Sequence, residues 1–187
     1  MTITGGIDVV DPESKVTSER VLIVEDDAAA RVGLEQLIKS WGYIAESACD
    51  GEEALEKVTS FRPAIVITDM VMPRMDGLAL LRALPQVGAD VTTLLLTAQG
   101  TVETAVEAMK EGAYDYLTKP VDIQRLKILL DKIVERLETM REVKTLRRQL
   151  REHGTFGSLI GNAPEMRKIY QVIEQSAPTG ASVLITG

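Results

Sequence analysis

The chain is predicted to be an α/β protein built on a doubly wound parallel sheet, and three features of its 187 residues carry that prediction. Short apolar runs alternate with stretches of helical periodicity, as successive βαβ units require. Several runs stop abruptly at a polar or charged residue, as strands buried on both faces do at a sheet edge. Glycines, Gly42 and Gly112 among them, close helices before the next strand begins.

Val21-Leu22-Ile23-Val24 is the first strand, ending in Glu25-Asp26-Asp27. A helix follows, with Val32, Leu34, Leu37 and Ile38 at helical spacing until Gly42. Tyr43 to Ala48 is a weaker second strand and Glu52 to Thr59 a second helix. Ala64-Ile65-Val66-Ile67-Thr68 is a third strand that meets Asp69, and Leu78 to Leu84 a short helix. Val91 to Leu96 is a fourth strand reaching Thr97, and Val102 to Met109 the next helix. Tyr114 to Leu117 is a fifth strand before Lys119-Pro120. Right-handed crossovers between such units give the flavodoxin-like (βα)5 arrangement with strand order 2-1-3-4-5.

Composition narrows the function. Apolar residues make 45 % of the chain, charged residues 26 % and aromatics only 4 %, so aliphatic side chains must fill the core. The formal charge is −7, from 28 acids against 21 bases, which argues against a chain-wide nucleic-acid footprint. Cys49 is the single cysteine, which rules out an internal disulfide and points to a reducing compartment. The first residues lack a signal-peptide pattern, and no apolar run approaches the roughly 20 residues of a membrane span. A cytoplasmic protein is expected.

Flanking segments read differently. Residues 1–18 mix Gly, Asp, Ser and Pro without periodicity and are expected to form a flexible tail. The domain proper is expected over 19–137. Its last helix carries Ile123, Leu126, Leu130, Ile133, Leu137 and Met140 in alternating steps of three and four, the seam of a coiled coil. Up to residue 134 an ordinary amphipathic surface helix explains that spacing equally well. Over 138–156 a coiled-coil-like linker helix is expected, with a slipped register starting at Val143, Leu146 and Leu150. His153, the sole histidine, reads as a solvated linker residue, and Trp41 and Cys49 as packing residues. In 157–187, Leu159-Ile160-Gly161-Asn162 precedes a helix over Met166 to Gln175 and a strand over Ser182 to Gly187. Some thirty residues cannot bury a core alone, so this reads as the start of a further domain that the sequence cuts short.

The chemistry follows from the strand ends, because a doubly wound sheet binds its ligand outside the carboxyl ends of its strands. Strand one brings Glu25, Asp26 and Asp27 there, strand three Asp69, strand four Thr97 and strand five Lys119. Each alone has an ordinary role: a solvated acid, a helix cap such as Asp27, a strand threonine, a surface lysine. Convergence on one edge is what points to a site. Crowded carboxylates repel by roughly 4 kcal/mol per close pair at an effective dielectric near 20. A hard divalent cation held by oxygens, with Mg²⁺ the best match, removes that cost. Metal, ammonium and a free carboxylate oxygen together are what phosphoryl transfer to an acid needs, with Thr97 as a hydroxyl donor. Spacing alone leaves open which carboxylate is the nucleophile.

These residues resemble the receiver domains of response regulators. The resemblance rests on Val24-Glu25-Asp26-Asp27, Thr68 to Gly77, Leu96-Thr97-Ala98 and Gly112 to Pro120, in that order. It implies that Asp69 is the phosphoacceptor, that Glu25 and Asp26 hold Mg²⁺ with Asp69 and the Val71 backbone carbonyl, and that Lys119 contacts the phosphoryl group. It further implies a Thr97–Tyr116 switch pair, a cis Lys119–Pro120 bond and a sensor histidine kinase as partner. Glu25 stands where many members have Asp. The C-terminal part resembles the NtrC class, whose receivers precede a sigma-54-activating AAA+ ATPase. Only the first glycine of a P-loop is present, so ATP hydrolysis and contacts to sigma-54 RNA polymerase and DNA would belong to further domains. A haloacid-dehalogenase-like phosphatase would carry an acid at the position of Val71. A flavin module would not place three acids after strand one. The expected mechanism is a switch: phosphorylation reshapes the face of the fourth helix, fifth strand and fifth helix, and alters homodimerisation through that face and the linker helix.

Overall fold

The computed structural model describes residues 19–98, 102–152, 155–156, 159–160 and 163–176. Five parallel strands form one sheet in the order β2-β1-β3-β4-β5: β1 is Arg20–Val24, β2 Ile44–Ala48, β3 Ile65–Asp69, β4 Thr92–Thr97 and β5 Asp115–Thr118. The helices between them are α1 (Ala28–Ser40), α2 (Gly51–Phe61), α3 (Gly77–Ala83, continued by a 3-10 turn over Leu84–Val87) and α4 (Val102–Lys110). The expected class and strand order are therefore observed.

Register aligns the strand ends. Val24 pairs with Ala48 and Thr68, Asp69 with Leu96, and Thr97 with Thr118, so the polar residues that follow lie along one edge. The inner strands β1, β3 and β4 are largely apolar because both their faces are covered, whereas the edge strands β2 and β5 carry exposed and polar residues. Leu22, Val24 and Val66 pack with Ala54, Val58, Phe61 and Leu80 beneath α2 and α3. Met70, Leu95 and the half-buried Tyr116 join Leu81 and Ala108 beneath α3 and α4. Burying one such aliphatic side chain stabilises the fold by about 1.5 to 3 kcal/mol.

Aspartates start the helices. Asp27 accepts from Ala30 N at 2.7 Å, Asp50 from Glu52 N and Glu53 N at 2.9 and 3.0 Å, and Asp76 from Ala79 N at 2.7 Å. Each cap satisfies donors that the first helical turn leaves open, and is worth about 1 kcal/mol. Val32 departs from the expected apolar repeat of α1 and is half exposed. It lies about 120° around the helix from Ile38, the one fully buried residue of α1, so it turns away from the sheet.

α5 (Ile123–Glu152) begins on Asp122, which accepts from Gln124 N and Arg125 N at 2.9 and 3.1 Å. Leu126, Leu130 and Ile133 of the predicted seam are buried, whereas Ile123 and Met140 are exposed, so burial covers only part of the seam. The chain divides into two compact units between Leu130 and Asp131. In the second unit the helix ends at Glu152 instead of running to 156, because Thr155–Phe156 (β6) pairs antiparallel with Leu159–Ile160 (β7). α6 (Pro164–Ser176) follows, with Tyr170 buried. The predicted tail at 1–18, His153, and the predicted strand at 182–187 lie outside the described residues. Among the described residues no helix is long and apolar enough to cross a membrane.

Candidate phosphoacceptor site

Four strand ends build the site. The apolar run of β1 ends at Val24, so Glu25 lies just beyond the sheet, 1 % exposed, with Asp26 exposed beside it. Asp69 is the last residue of β3 and is 8 % exposed. One oxygen each from Glu25, Asp26 and Asp69 can lie within 4.8 Å of the others. Asp27 stands apart as the cap of α1, the ordinary role open to it from the sequence.

Lys119 closes the cluster from β5. Its Nζ donates to Glu25 at 2.9 and 2.6 Å and to Asp69 Oδ2 at 2.6 Å. The Lys119–Pro120 bond is cis, and Lys119 N donates to Thr97 O at 2.7 Å, which ties the lysine backbone to the end of β4. Burial pushes the Glu25 carboxyl above its ordinary value, against the pull of the Lys119 ammonium. Burial works to lower Lys119, and its bonds to Asp69 and Glu25 outweigh it and hold the ammonium above its usual value. The lysine thus stays charged between two acids.

Oxygen donors of this kind suit a hard divalent cation with few protein ligands. Three carboxylates against one ammonium leave the cluster negative, and the exposed Asp26 keeps it open to water. The residues fit Mg²⁺.

Thr97 is buried at the end of β4, and Leu95 pairs with Tyr116 as Thr97 pairs with Thr118. Side chains two residues apart on a strand share a face, so Thr97 and Tyr116 lie on the same side of the sheet. The Tyr116 ring packs on the Met70–Leu81–Leu95 cluster, and its carbonyl accepts from Arg125 at 3.4 Å. Val71, 73 % exposed, donates its N–H to Asp69 Oδ1 at 3.4 Å. Glu25, Asp26, Asp69, Val71, Thr97 and Lys119 therefore lie along one edge, and Tyr116 lies deeper, beside Leu95 on the Thr97 face of the sheet. An apolar groove of about 470 Å³ opens beside them, lined by Ala30, Gly33, Leu34 and Leu37 of α1 and by Pro120, Val121 and Ile123, with Glu25 and Lys119 at its polar end.

Sequence reasoning missed three supports. Arg31 donates to the carbonyls of Glu25 and Asp26 at 2.7 and 3.1 Å, fixing the loop that carries both acids. Gly77 is so close to β3 that a Cβ there would collide with the Asp69 carbonyl oxygen. Arg74 pairs with the fully buried Asp50. The Asp50-Gly51 and Asp76-Gly77 dipeptides were visible as turn signals, but their partners are distant in sequence. Cys49, expected to be a packing residue, instead directs its thiol at Asp50 (3.4 Å) and meets Arg74 at 3.6 Å, because it sits at the polar edge where β2 ends.

Comparison with known proteins agrees with this geometry. The response regulator receiver domain family matches residues 21–131. Transcriptional regulatory protein ZraR of Salmonella typhimurium is 37 % identical over 168 residues, spanning 89 % of this chain and 37 % of that protein. DNA-binding transcriptional regulator NtrC of Escherichia coli is 32 % identical over 167 residues, spanning 89 % of this chain and 35 % of that protein. The chain thus spans little more than a third of the length of these relatives. Among solved structures, the signal receiver domain of a LuxO repressor-like protein from Vibrio parahaemolyticus superposes with a TM-score of 0.64 at 28 % identity, over 68 % of this chain and 98 % of that one. A response regulator from Chloroflexus aurantiacus gives 0.60 at 32 % identity, over 64 % and 99 %.

Proposed function

The chain belongs to the response regulator receiver domain family, related to the ZraR and NtrC regulators, and from that premise we propose that Asp69 accepts a phosphoryl group from a sensor histidine kinase in a Mg²⁺-dependent reaction. The observation that carries this is the bridge of Lys119 between Asp69 and Glu25, with Asp26 alongside.

Glu25, Asp26, Asp69 and the Val71 carbonyl would hold the cation, which when bound supplies positive charge to the transferred phosphoryl oxygens. Asp69 attacks phosphorus through a carboxylate oxygen; the acyl phosphate bond forms as the bond from phosphorus to the donor imidazole nitrogen breaks. Lys119, released from part of its pairing with Asp69, neutralises a phosphoryl oxygen. Thr97 turns its hydroxyl to another, and the space it vacates admits the Tyr116 ring. The apolar groove ending at Glu25 and Lys119 gives the kinase a surface to bind while its phosphohistidine reaches Asp69.

The residue ranges carry the rest of the proposal: a receiver over 19–137, a linker helix continuing α5, and from 157 the opening of an AAA+ domain. The whole protein would be a cytoplasmic sigma-54-dependent activator in which phosphorylation alters homodimerisation through α4, β5, α5 and the linker. DNA and sigma-54 RNA polymerase contacts would lie in other domains, and the chain itself would be a phosphoacceptor and not an ATPase. Exposed Val106 and Met109 on α4 support an apolar contact from the receiver, and exposed Met140, Val143 and Leu146 on α5 support, separately, one from the linker helix.

Incubation with a small phosphodonor such as phosphoramidate tests the central step. One phosphoryl group should appear on the wild type, require Mg²⁺ and be labile to alkali, and Asp69→Asn should take none. Undiminished labelling of Asp69→Asn would overturn the assignment. Mass measurement with and without beryllofluoride tests the dimer; a monomer under both conditions would remove that part.

A further inference from the structure

The loop between β3 and α3 is held by three contacts of backbone N–H groups and one side-chain ion pair. At its start, Val71 N reaches Asp69 Oδ1 at 3.4 Å. At its end, Gly77 N donates to Met70 O at 3.0 Å, with Gly77 pressed on the Asp69 carbonyl. In its middle, Gly51 N donates to Met75 O at 3.2 Å, and a Cβ on Gly51 would stand 2.6 Å from Met75 Cγ. Beside that contact the Arg74 guanidinium pairs with Asp50.

Asp50 is 0 % exposed. Its Oδ1 is spent on the cap of α2, and its Oδ2 faces Arg74 and the Cys49 thiol. A buried carboxylate needs a partner, and Arg74 is the cation that meets it. Arg74 reaches it with φ of 64°, the left-handed region that a side chain disfavours. Backbone in that region persists only where its surroundings hold it. A plain surface ion pair would not require a buried partner or a strained backbone, and the outer contact to Glu52 at 3.9 Å explains neither.

We propose that Arg74 is a positioning residue: by its pair with Asp50 it holds the loop in the shape that keeps the Val71 backbone on Asp69, and so sets how tightly the acid cluster takes a divalent cation. This rests on the function proposed above. The sign of the effect separates it from simple charge. Removing a cation near a metal site should by Coulomb's law tighten Mg²⁺. Losing a positioning contact should loosen it.

The test is a Mg²⁺ titration of the whole chain, followed by calorimetry and by the Val71 amide resonance, for wild type, Arg74→Ala, Arg74→Lys and Arg74→Gly. Arg74→Ala should weaken Mg²⁺ about tenfold, the range seen when outer partners of metal ligands are removed, and should shift the Val71 amide before metal is added. Arg74→Lys should recover part of the affinity. Arg74→Gly, which relaxes the left-handed φ and so folds readily, should be at least as weak as Arg74→Ala. Wild type binding Mg²⁺ and accepting phosphate while Arg74→Ala and Arg74→Gly bind it equally or more tightly would overturn the positioning role alone. A wild type that takes neither would instead overturn the phosphoacceptor function, and this proposal with it.

Discussion

Lys119 and Arg82 each stand between two acids, one at the sheet edge and one on the outer surface of α3. Lys119 bonds Glu25 and Asp69 at 2.6 Å, with side-chain exposures of 2 % and 11 % for the acids. Arg82 reaches Glu107 and Glu111 at 3.4 and 2.9 Å, with the acids 53 % and 33 % exposed. Pair chemistry is alike; solvent is not. Water and salt screen the outer pair and leave it little net effect. At the sheet edge the acids have lost most of their water, so each depends on the lysine. Burial, more than the number of pairs, sets the candidate cluster apart.

Removing Lys119 is the strongest way to break that comparison. Lys119→Ala leaves two buried carboxylates facing each other and the neighbouring Asp26. The expected loss without Mg²⁺ is roughly 2 to 3 kcal/mol, below the full cost of breaking a buried pair because the lysine side chain is 27 % exposed. Urea unfolding measures it, and excess Mg²⁺ should recover part of the loss by binding the folded state. An unchanged midpoint without Mg²⁺ would mean that solvent screens this cluster as it screens the outer one.

Gly77→Ala probes the same edge through the backbone. The added Cβ would strike the Asp69 carbonyl and lie 3.0 Å from Met70 Cα, neither of which can yield without moving β3. A loss of about 1 to 3 kcal/mol is expected from such overpacking, together with slower phosphorylation. Gly88→Ala is the control for helix-terminal glycine, since it has open space but a φ of 71°; it should destabilise without slowing phosphorylation.

Much of the sheet edge was legible beforehand for a simple reason. Buried parallel strands write themselves as apolar runs, and the polar residues just past each run stand at the carboxyl edge of the sheet. Glu25, Asp69, Thr97 and Lys119 were reached that way. Long-range partners write nothing comparable: nothing local in the sequence links Asp50 to Arg74, and only chain closure brings them together across 24 residues. α5 illustrates a different gap. Its seam repeats from Ile123 to Met140, yet Leu126, Leu130 and Ile133 are buried while Ile123 and Met140 are exposed. Spacing records that an apolar stripe exists, and the stripe is the same whether its own domain or a second chain covers it.

An intermediate case sharpens the contrast. Glu53 on α2 accepts from Cys49 N at 2.7 Å and pairs with Lys57 at 2.8 Å. Its contacts with Cys49 and then Lys57 bring its carboxyl down to about 2 from an ordinary 4.5. A lowered carboxyl stabilises the fold fully above about 4.5 and loses that contribution as pH falls through about 2. The Glu53 side chain is 36 % exposed, so solvent screening reduces the effect to about 0.5 kcal/mol. Comparing wild type with Glu53→Gln from pH 5 to pH 2 should show the gap between their urea midpoints closing as the pH drops. A constant gap would place Glu53 with the outer pair.

Arg82 should show the smallest effect of all. Its guanidinium is held above its usual value by Glu111 first and Glu107 second, but all three groups are open to water. Arg82→Ala should leave the urea midpoint unchanged within error at 0.15 M salt, about where the Debye length falls to 8 Å. Because the pair joins α3 to α4, and α4 belongs to the face expected to rearrange, a second readout matters. If the bridge helps hold α4 in place, Arg82→Ala should raise the affinity for beryllofluoride at low salt and lose that effect at high salt, whereas an inert surface pair would leave affinity unchanged at both. Stability at 0.15 M salt alone cannot separate these, since a pair screened at that salt contributes nothing measurable there, and its bias between two folded states shows only at low salt.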